Sequence, residues 1–266
     1  MIEMLGYAAS VAIGLSLGLI GGGGSILTVP VLVYLMGISP VAGTAYSLFI
    51  VGSTSLVGSV RYARKGMIDL RTAVLFGIIS FLAVFLTRHY AVPAIPATLF
   101  TVGHVLVSKN LLIMLFFAVV MLFSARSMIR AGKADAAPTE EETPTQALVP
   151  LALKALLVGI VTGLVGAGGG FLIVPALVIL ARLPMKLAVG TSLSIIAVNS
   201  LLGFLGDLSH FAVNWHFLLI FTSLAIAGIF IGSALAERID GQRLKTGFGW
   251  FVLLMGTGIL AKELFF

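Results

Sequence analysis

The chain has no cysteine among its 266 residues. That excludes disulfides, thiolate nucleophiles and thiolate-held metals. Charge is also scarce: Asp, Glu, Lys and Arg make up 10% of the residues, against about 25% in a soluble domain. No Ser-His-Asp set or suitably spaced carboxylate pair appears, so an enzyme is not expected. The four histidines, His89, His104, His210 and His216, show no metal-ligand spacing, so neither a metal nor another cofactor is expected. A role for them in proton coupling stays open.

What is present is apolar. Hydrophobic residues make up 59% and mean hydropathy is +1.17, which places the chain in a lipid bilayer. The runs are too continuous for the alternating strands of an outer-membrane barrel. The N-terminus, Met1-Ile-Glu-Met-Leu5, lacks a basic region and a small-residue cleavage site and reads as an uncleaved first helix. Ten apolar segments can be drawn, at 4–20, 25–37, 41–60, 70–88, 110–126, 147–165, 171–181, 187–206, 216–235 and 246–262. Residues 131–146 carry Pro, Thr and charge with no apolar periodicity, which reads as a flexible linker. The expectation is an all-α membrane protein with one five-segment repeat at 1–130 and a second, inverted, at 147–266.

The charges agree with inversion. The net charge of +6 does not point to nucleic acid, because 12 of the 16 basic residues fall on one side of this ten-segment plan. Three fall on the other side, and Lys154 can snorkel. The basic side is then cytoplasmic, with the linker and loops 61–71, 182–186 and 236–245. Both termini are expected outside a cell membrane.

Two glycine-rich stretches organise the chain. Residues 18–30 read GLIGGGGSILTVP and residues 163–175 read GLVGAGGGFLIVP; the offset is 145 and 8 of the 13 pairs are identical. Such runs hold a regular helix only at a cost in backbone entropy. The apolar segments that follow are also short, about 20 Å for 13 residues at 1.5 Å each, against a hydrocarbon core of about 30 Å. They read as half-helices whose N-termini carry free N–H groups and partial positive charge. Two such ends facing each other make an anion site without a buried Lys or Arg. The competing reading is close helix packing through small residues, but two matched runs, each followed by a short segment and a proline, favour broken helices. The candidate ligands are the amides at Gly21, Gly22, Gly23, Gly24 and Ser25, and at Gly166, Gly168, Gly169 and Gly170. Neither run ends in Gly-Lys-Ser/Thr, which excludes a nucleotide loop.

Thr44 and Ser47 recur as Thr191 and Ser194, each pair on one helical face. They can donate to an oxyanion, or bond back to their own helices as Ser and Thr do in membranes. Asn199 is the most polar residue inside a span and is expected to line a cavity. Asp69 and Asp207 sit at segment ends as caps, and Arg61 and Arg71 flank a polar loop where they can steer anions. Pro30 and Pro175 are candidate kinks.

These residues carry a family resemblance. The first glycine run to Pro30, residues 42–47 (AGTAYS) and 61–70 (RYARKGMIDL) resemble the first half of the sulfite exporter TauE/SafE family. The second run to Pro175, Leu183-Pro184 and residues 188–192 (AVGTS) resemble its second half. Ser25 departs from the pattern, and the connection over 89–109 is long. The resemblance implies a transporter of a small sulfur-containing or organic anion, such as sulfite or an organosulfonate, in the bacterial cytoplasmic membrane. It leaves open which anion, the direction, the oligomeric state and whether protons or another ion are coupled. A passive anion channel and a non-transporting membrane scaffold are the other readings.

Overall fold

The computed structural model describes residues 2–91, 94–96, 98–102, 105–131, 148–165, 170–181, 183–208 and 213–265. Ten α-helices lie among them: α1 (Ile2–Ile20), α2 (Gly23–Pro30), α3 (Pro40–Arg64), α4 (Leu70–Leu86), α5 (Lys109–Ala131), α6 (Leu148–Val165), α7 (Gly170–Pro175), α8 (Met185–Asp207), α9 (Trp215–Ala236) and α10 (Gly241–Phe265). The all-α expectation needs one correction. Within the long connection, β1 (Thr98–Val102) pairs antiparallel with β2 (Val105–Ser108). This run of β-branched and aromatic residues suits a two-stranded ribbon better than a helix. The helices also outrun several apolar segments, because a helix need not end where hydropathy does. Thus α3 continues to Arg64 and α5 to Ala131, and α10 starts at Gly241. Apart from Ala131, the expected linker lies outside the described residues.

Among the described residues, four helices are long and apolar enough to cross a membrane: Ala42–Arg64, Leu70–Ala91, Met185–Asp207 and Trp215–Ala236. In contrast, α2 and α7 are short. Each runs through a proline into one wide π turn, Val31–Leu35 after Pro30 and Ala176–Leu180 after Pro175. Proline has no N–H and its ring crowds the carbonyl four residues back. The wide turn carries the chain past this defect, so each proline sits inside a helix that continues beyond it. The two turns close alike. Met36 N donates to Val31 O at 3.1 Å and Ile38 N to Leu32 O at 3.0 Å. Ala181 N donates to Ala176 O at 3.2 Å and Leu183 N to Leu177 O at 3.0 Å. With its π turn, α2 is about 20 Å long and α7 about 16 Å at 1.5 Å per residue.

Packing brings sequence-distant helices together. The central pair is α3 on α8, flanked by α1 on α9 and α4 on α6, while α5 packs on α10. The flanking pairs approach backbone to backbone. A Cβ on Gly14 would lie 1.8 Å from Ala225 O, and one on Gly18 2.5 Å from Ile229 O. A Cβ on Gly159 would lie 2.6 Å from Ser80 O, and one on Gly163 3.1 Å from Val84 O. Adding 145 to Gly14, Ser80, Gly18 and Val84 gives Gly159, Ala225, Gly163 and Ile229. Without a hydrophobic drive between helices in lipid, this close contact supplies the dispersion energy that holds them.

The starts of α4 and α9 are tied down in matching ways. Thr72 N donates to Asp69 Oδ1 at 3.2 Å and Phe217 N to Asn214 Oδ1 at 3.2 Å, both side-chain N-caps. A hydroxyl from the central pair accepts each cap's own amide: Thr191 Oγ1 from Asp69 N at 3.0 Å, and Tyr46 Oη from Asn214 N at 2.8 Å. Around Asn214, aromatic rings of α1, α3, α8 and α9 interlock; Phe49 and Trp215 meet edge to face with centroids 5.8 Å apart.

Candidate functional site

The first break begins where α1 ends. Gly21 N still donates to Leu17 O at 2.7 Å, but Gly21 itself has φ +74°, a conformation in which a side chain would be strained. Gly22 (φ −160°, ψ −14°) caps α2 with no side-chain bond. Ser25 N turns back to Gly22 O at 3.3 Å, and the amides before it in α2 have no side-chain cap. The break also meets its counterpart. A Cβ on Gly22 would lie 2.0 Å from Gly170 O, and a Cβ on Gly170 3.1 Å from Gly22 Cα and 3.0 Å from Ser25 Oγ. The N-terminal ends of α2 and α7 are thus in backbone contact. On α8 this junction meets Val189 and Ser192, at Gly21, and Ile196, at Gly170. They lie about 6, 10 and 16 Å along a helix of about 34 Å, so the junction lies in the first half of α8, inside the helical bundle.

The expected site residues separate here. Gly21, Gly22, Ser25 and Gly170 come together. Gly23 is the first residue of α2, and Gly24 faces α1, where a Cβ would lie 2.2 Å from Ile13 O. Gly166, Gly168 and Gly169 lie outside the described residues. Ser25 Oγ donates to Gly22 O at 2.7 Å. Thr191 holds the α4 cap, and Ser194 Oγ donates back to Gly190 O at 3.3 Å, so these two hydroxyls have partners within the protein. Thr44 is half-buried near the start of α3. Ser47 is fully buried and its Oγ has no protein partner. Asn199 is buried between α8 and α4, with Nδ2 donating to Ser80 Oγ at 2.8 Å and Oδ1 unpartnered.

Three hydroxyls at these helices escape sequence reasoning. Ser192 Oγ donates to Gly21 O at 3.1 Å and to Val189 O at 2.8 Å, fastening the first break to the second half of the chain. Its counterpart two residues off the 145 register is Ala45, so a search for repeated hydroxyls passes over it. Thr54 and Ser55 are fully buried in α3 with unpartnered hydroxyls. The clustered Ser-Thr-Ser at 53–55 is their only sequence signal. An unpartnered polar atom in a low-dielectric interior costs about 1–3 kcal/mol, so such atoms concentrate where something else can meet them.

Where basic residues gather at one end of the bundle, the ends of α1, α3, α8 and α9 enclose a pocket of about 180 Å³. Leu19, Tyr62, Lys65, Lys186, Val189 and Glu237 line it. It adjoins the first break, since Tyr62 Oη donates to Gly18 O at 3.2 Å and a Cβ on Gly21 would lie 2.8 Å from Val189 Cα. Glu237 Oε1 accepts from Arg61 Nη2 at 3.0 Å and from Lys65 Nζ. Lys186 Nζ donates to Glu237 O at 3.5 Å. The hydrogen bond from Lys65, followed by the charges of Lys65 and Arg61, holds the Glu237 carboxyl below the usual glutamate range.

Membrane-length apolar helices packed around two half-length helices that meet end to end define a multi-pass membrane protein with interrupted spans. Comparison with known proteins gives the family: over residues 6–259 the chain belongs to the sulfite exporter TauE/SafE family of membrane transporters. It is 31% identical to a probable membrane transporter protein of Xylella fastidiosa over 255 residues, covering 94% of this chain and 92% of the relative. It is 26% identical to the probable membrane transporter protein YunE of Bacillus subtilis, over 98% of this chain and all of the relative (100%). A probable membrane transporter protein of Methanocaldococcus jannaschii is 25% identical over 93% of this chain and 91% of its own length.

Proposed function

We propose that this protein is a secondary carrier of a small sulfur-containing or organic anion, such as sulfite or an organosulfonate. The anion binds where the N-terminal ends of α2 and α7 meet. The observation that carries this reading is the backbone contact of Gly22 with Gly170 beside the start of α2, which no side chain caps. Amides of Gly22 to Gly24 and of Gly166 to Gly170 supply N–H donors, and Ser47 and Asn199 add buried groups with unfilled hydrogen-bonding capacity. Ser80 Oγ donates to Gly77 O at 3.2 Å, so a flipped Asn199 amide frees Nδ2 for an anion as the Ser80 hydroxyl turns from Gly77 O to Asn199 Oδ1.

The same reading makes residues 1–130 and 147–266 two inverted repeats joined by a cytoplasmic linker, with both termini outside a cell membrane. Support comes from the exchanged contacts: α1 packs on α9 as α6 packs on α4, through residues 145 apart. Exchange of partners is what a pseudo-two-fold axis through the central pair produces, and rocking of one repeat against the other gives alternating access.

The test is thermal stabilisation of purified protein by sulfite, sulfate, thiosulfate, small sulfonates, small carboxylates and chloride, followed by counterflow in proteoliposomes. Stabilisation by one anion class together with counterflow-stimulated, saturable uptake is expected. Flux without counterflow stimulation would mean a passive channel. Folded protein that responds to none of these anions would remove the anion reading.

A further inference from the structure

The cytoplasmic pocket beside the first break has the features of a site in its own right. Its charged rim brings together residues far apart in sequence. Arg61 and Lys65 come from the end of α3, Lys186 from the start of α8 and Glu237 from the end of α9. Arg61 and Lys65 pair with the Glu237 carboxylate and Lys186 meets the Glu237 main-chain carbonyl, so three cations and one carboxylate leave the rim a formal surplus of two positive charges. The carboxylate is also the most easily exchanged member. The Glu237 side chain is 41% exposed, and its bonds to Arg61 and Lys65 fall on the single oxygen Oε1. Exposed pairs of this kind are weak and competed by other anions. The pocket floor is not charged. Leu19 and Val189 form it, with Tyr62 reaching the carbonyl of Gly18 just before the broken helix.

We propose that this pocket is a cytoplasmic docking site for the transported oxyanion, in which Lys65 and Lys186 bind the anion and Glu237 is the resident counter-ion that it displaces. This rests on the anion-carrier reading. At about 180 Å³ the pocket has the volume for one small oxyanion with water. The anion takes over the bond from Lys65 Nζ, and the freed Glu237 carboxylate turns to solvent. From there the polar path inward passes Tyr62 and the Gly18 carbonyl to the amides of the broken helix. Because Glu237 lies on α9 and Lys65 on α3, displacing it also breaks an ion-pair clasp between the two halves of the chain. Arrival of the anion is thereby coupled to release of that clasp.

A clasp with no role in docking and a displaceable counter-ion make opposite demands on the same substitutions. Sulfite uptake would be measured in inside-out and right-side-out proteoliposomes of phosphatidylcholine for the wild type, Glu237→Gln, Lys65→Gln and Lys186→Gln. Removing the competitor in Glu237→Gln should lower the cytoplasmic-side half-saturation concentration by about two- to fivefold, the range of one exposed ion pair. Lys65→Gln and Lys186→Gln should raise it by a similar factor. Half-saturation from the outer face should not change. If Glu237→Gln and Lys65→Gln move the cytoplasmic value in the same direction, the pair is only a clasp and the proposal is wrong. Variant effects that need phosphatidylglycerol in the vesicle would identify a lipid headgroup as the occupant and overturn it too. If the wild type shows no saturable sulfite uptake, the carrier reading fails, and the pocket is judged by sulfite and sulfate binding to purified protein. Opposite shifts in Kd for the glutamate and lysine variants would uphold the site. Absence of binding, or equal Kd values, would remove it.

Discussion

Gly22→Ala is the sharpest perturbation of the junction between the two half-helices. At Gly22 (φ −160°, ψ −14°) the substitution places no side chain in the left-handed region. What it adds is a methyl group 2.0 Å from Gly170 O and 2.4 Å from Gly170 C. Ordinary contact begins near 3.4 Å, so α2 and α7 must separate by roughly 1.4 Å. Overpacking of this kind costs about 1–3 kcal/mol. Its effect on binding should be larger, because a displacement near 1 Å of preorganised groups costs about 10²-fold where geometry matters. Sulfite affinity is expected to fall by about 10- to 100-fold, read by calorimetry on purified protein, with the helical circular dichroism spectrum retained. Gly14→Ala is the matched control. Its methyl meets Ala225 O at 1.8 Å, so it disturbs α1 against α9 without entering the junction. Gly170→Ala should be milder than Gly22→Ala, because two of its three contacts are the side-chain atoms Ile196 Cδ1 and Ser25 Oγ. Wild-type affinity in Gly22→Ala, or an equal loss in Gly14→Ala, would refute the assignment of the anion to this junction.

Asp69→Ala and Asn214→Ala each remove a side-chain N-cap and should each cost about 1 kcal/mol in reversible unfolding; no change for either would mean that the cap does not contribute. The Glu237 clasp should be pH-dependent in one direction only. Its lowered carboxyl pKa keeps its contribution intact from neutral pH down to the ordinary glutamate range near ~4.3, below which it is lost as pH falls through the lowered value. The stability difference between the wild type and Glu237→Gln should therefore stay constant from about pH 7 to 5 and shrink only in stronger acid. Because the chain has no cysteine, single cysteines report topology directly. An impermeant maleimide should label Lys133→Cys only in inside-out vesicles and Glu3→Cys only in right-side-out ones, and the reverse pattern would invert the proposed orientation.

The sequence by itself determined the class, the position of the first break and the ten helices found among the described residues. Charge scarcity, long apolar runs and the doubled glycine motif act locally, through transfer energy and backbone entropy, so they are visible without a fold. The cap at Asp69 was legible for the same reason, since a cap is made within one turn. Only the tertiary structure decided which residues meet. Thr191 looked like an anion ligand beside its repeated Thr44, but Asp69, 122 residues earlier, gives it a partner that no local pattern encodes. Ser192 has no hydroxyl counterpart in the first half, yet it is the residue that reaches Gly21, because helix packing sets its neighbours and the repeat does not. The pocket at Lys65, Lys186 and Glu237 likewise exists only where the ends of four helices converge. Charges that count merely as loop residues along the chain become one rim when α3, α8 and α9 pack together.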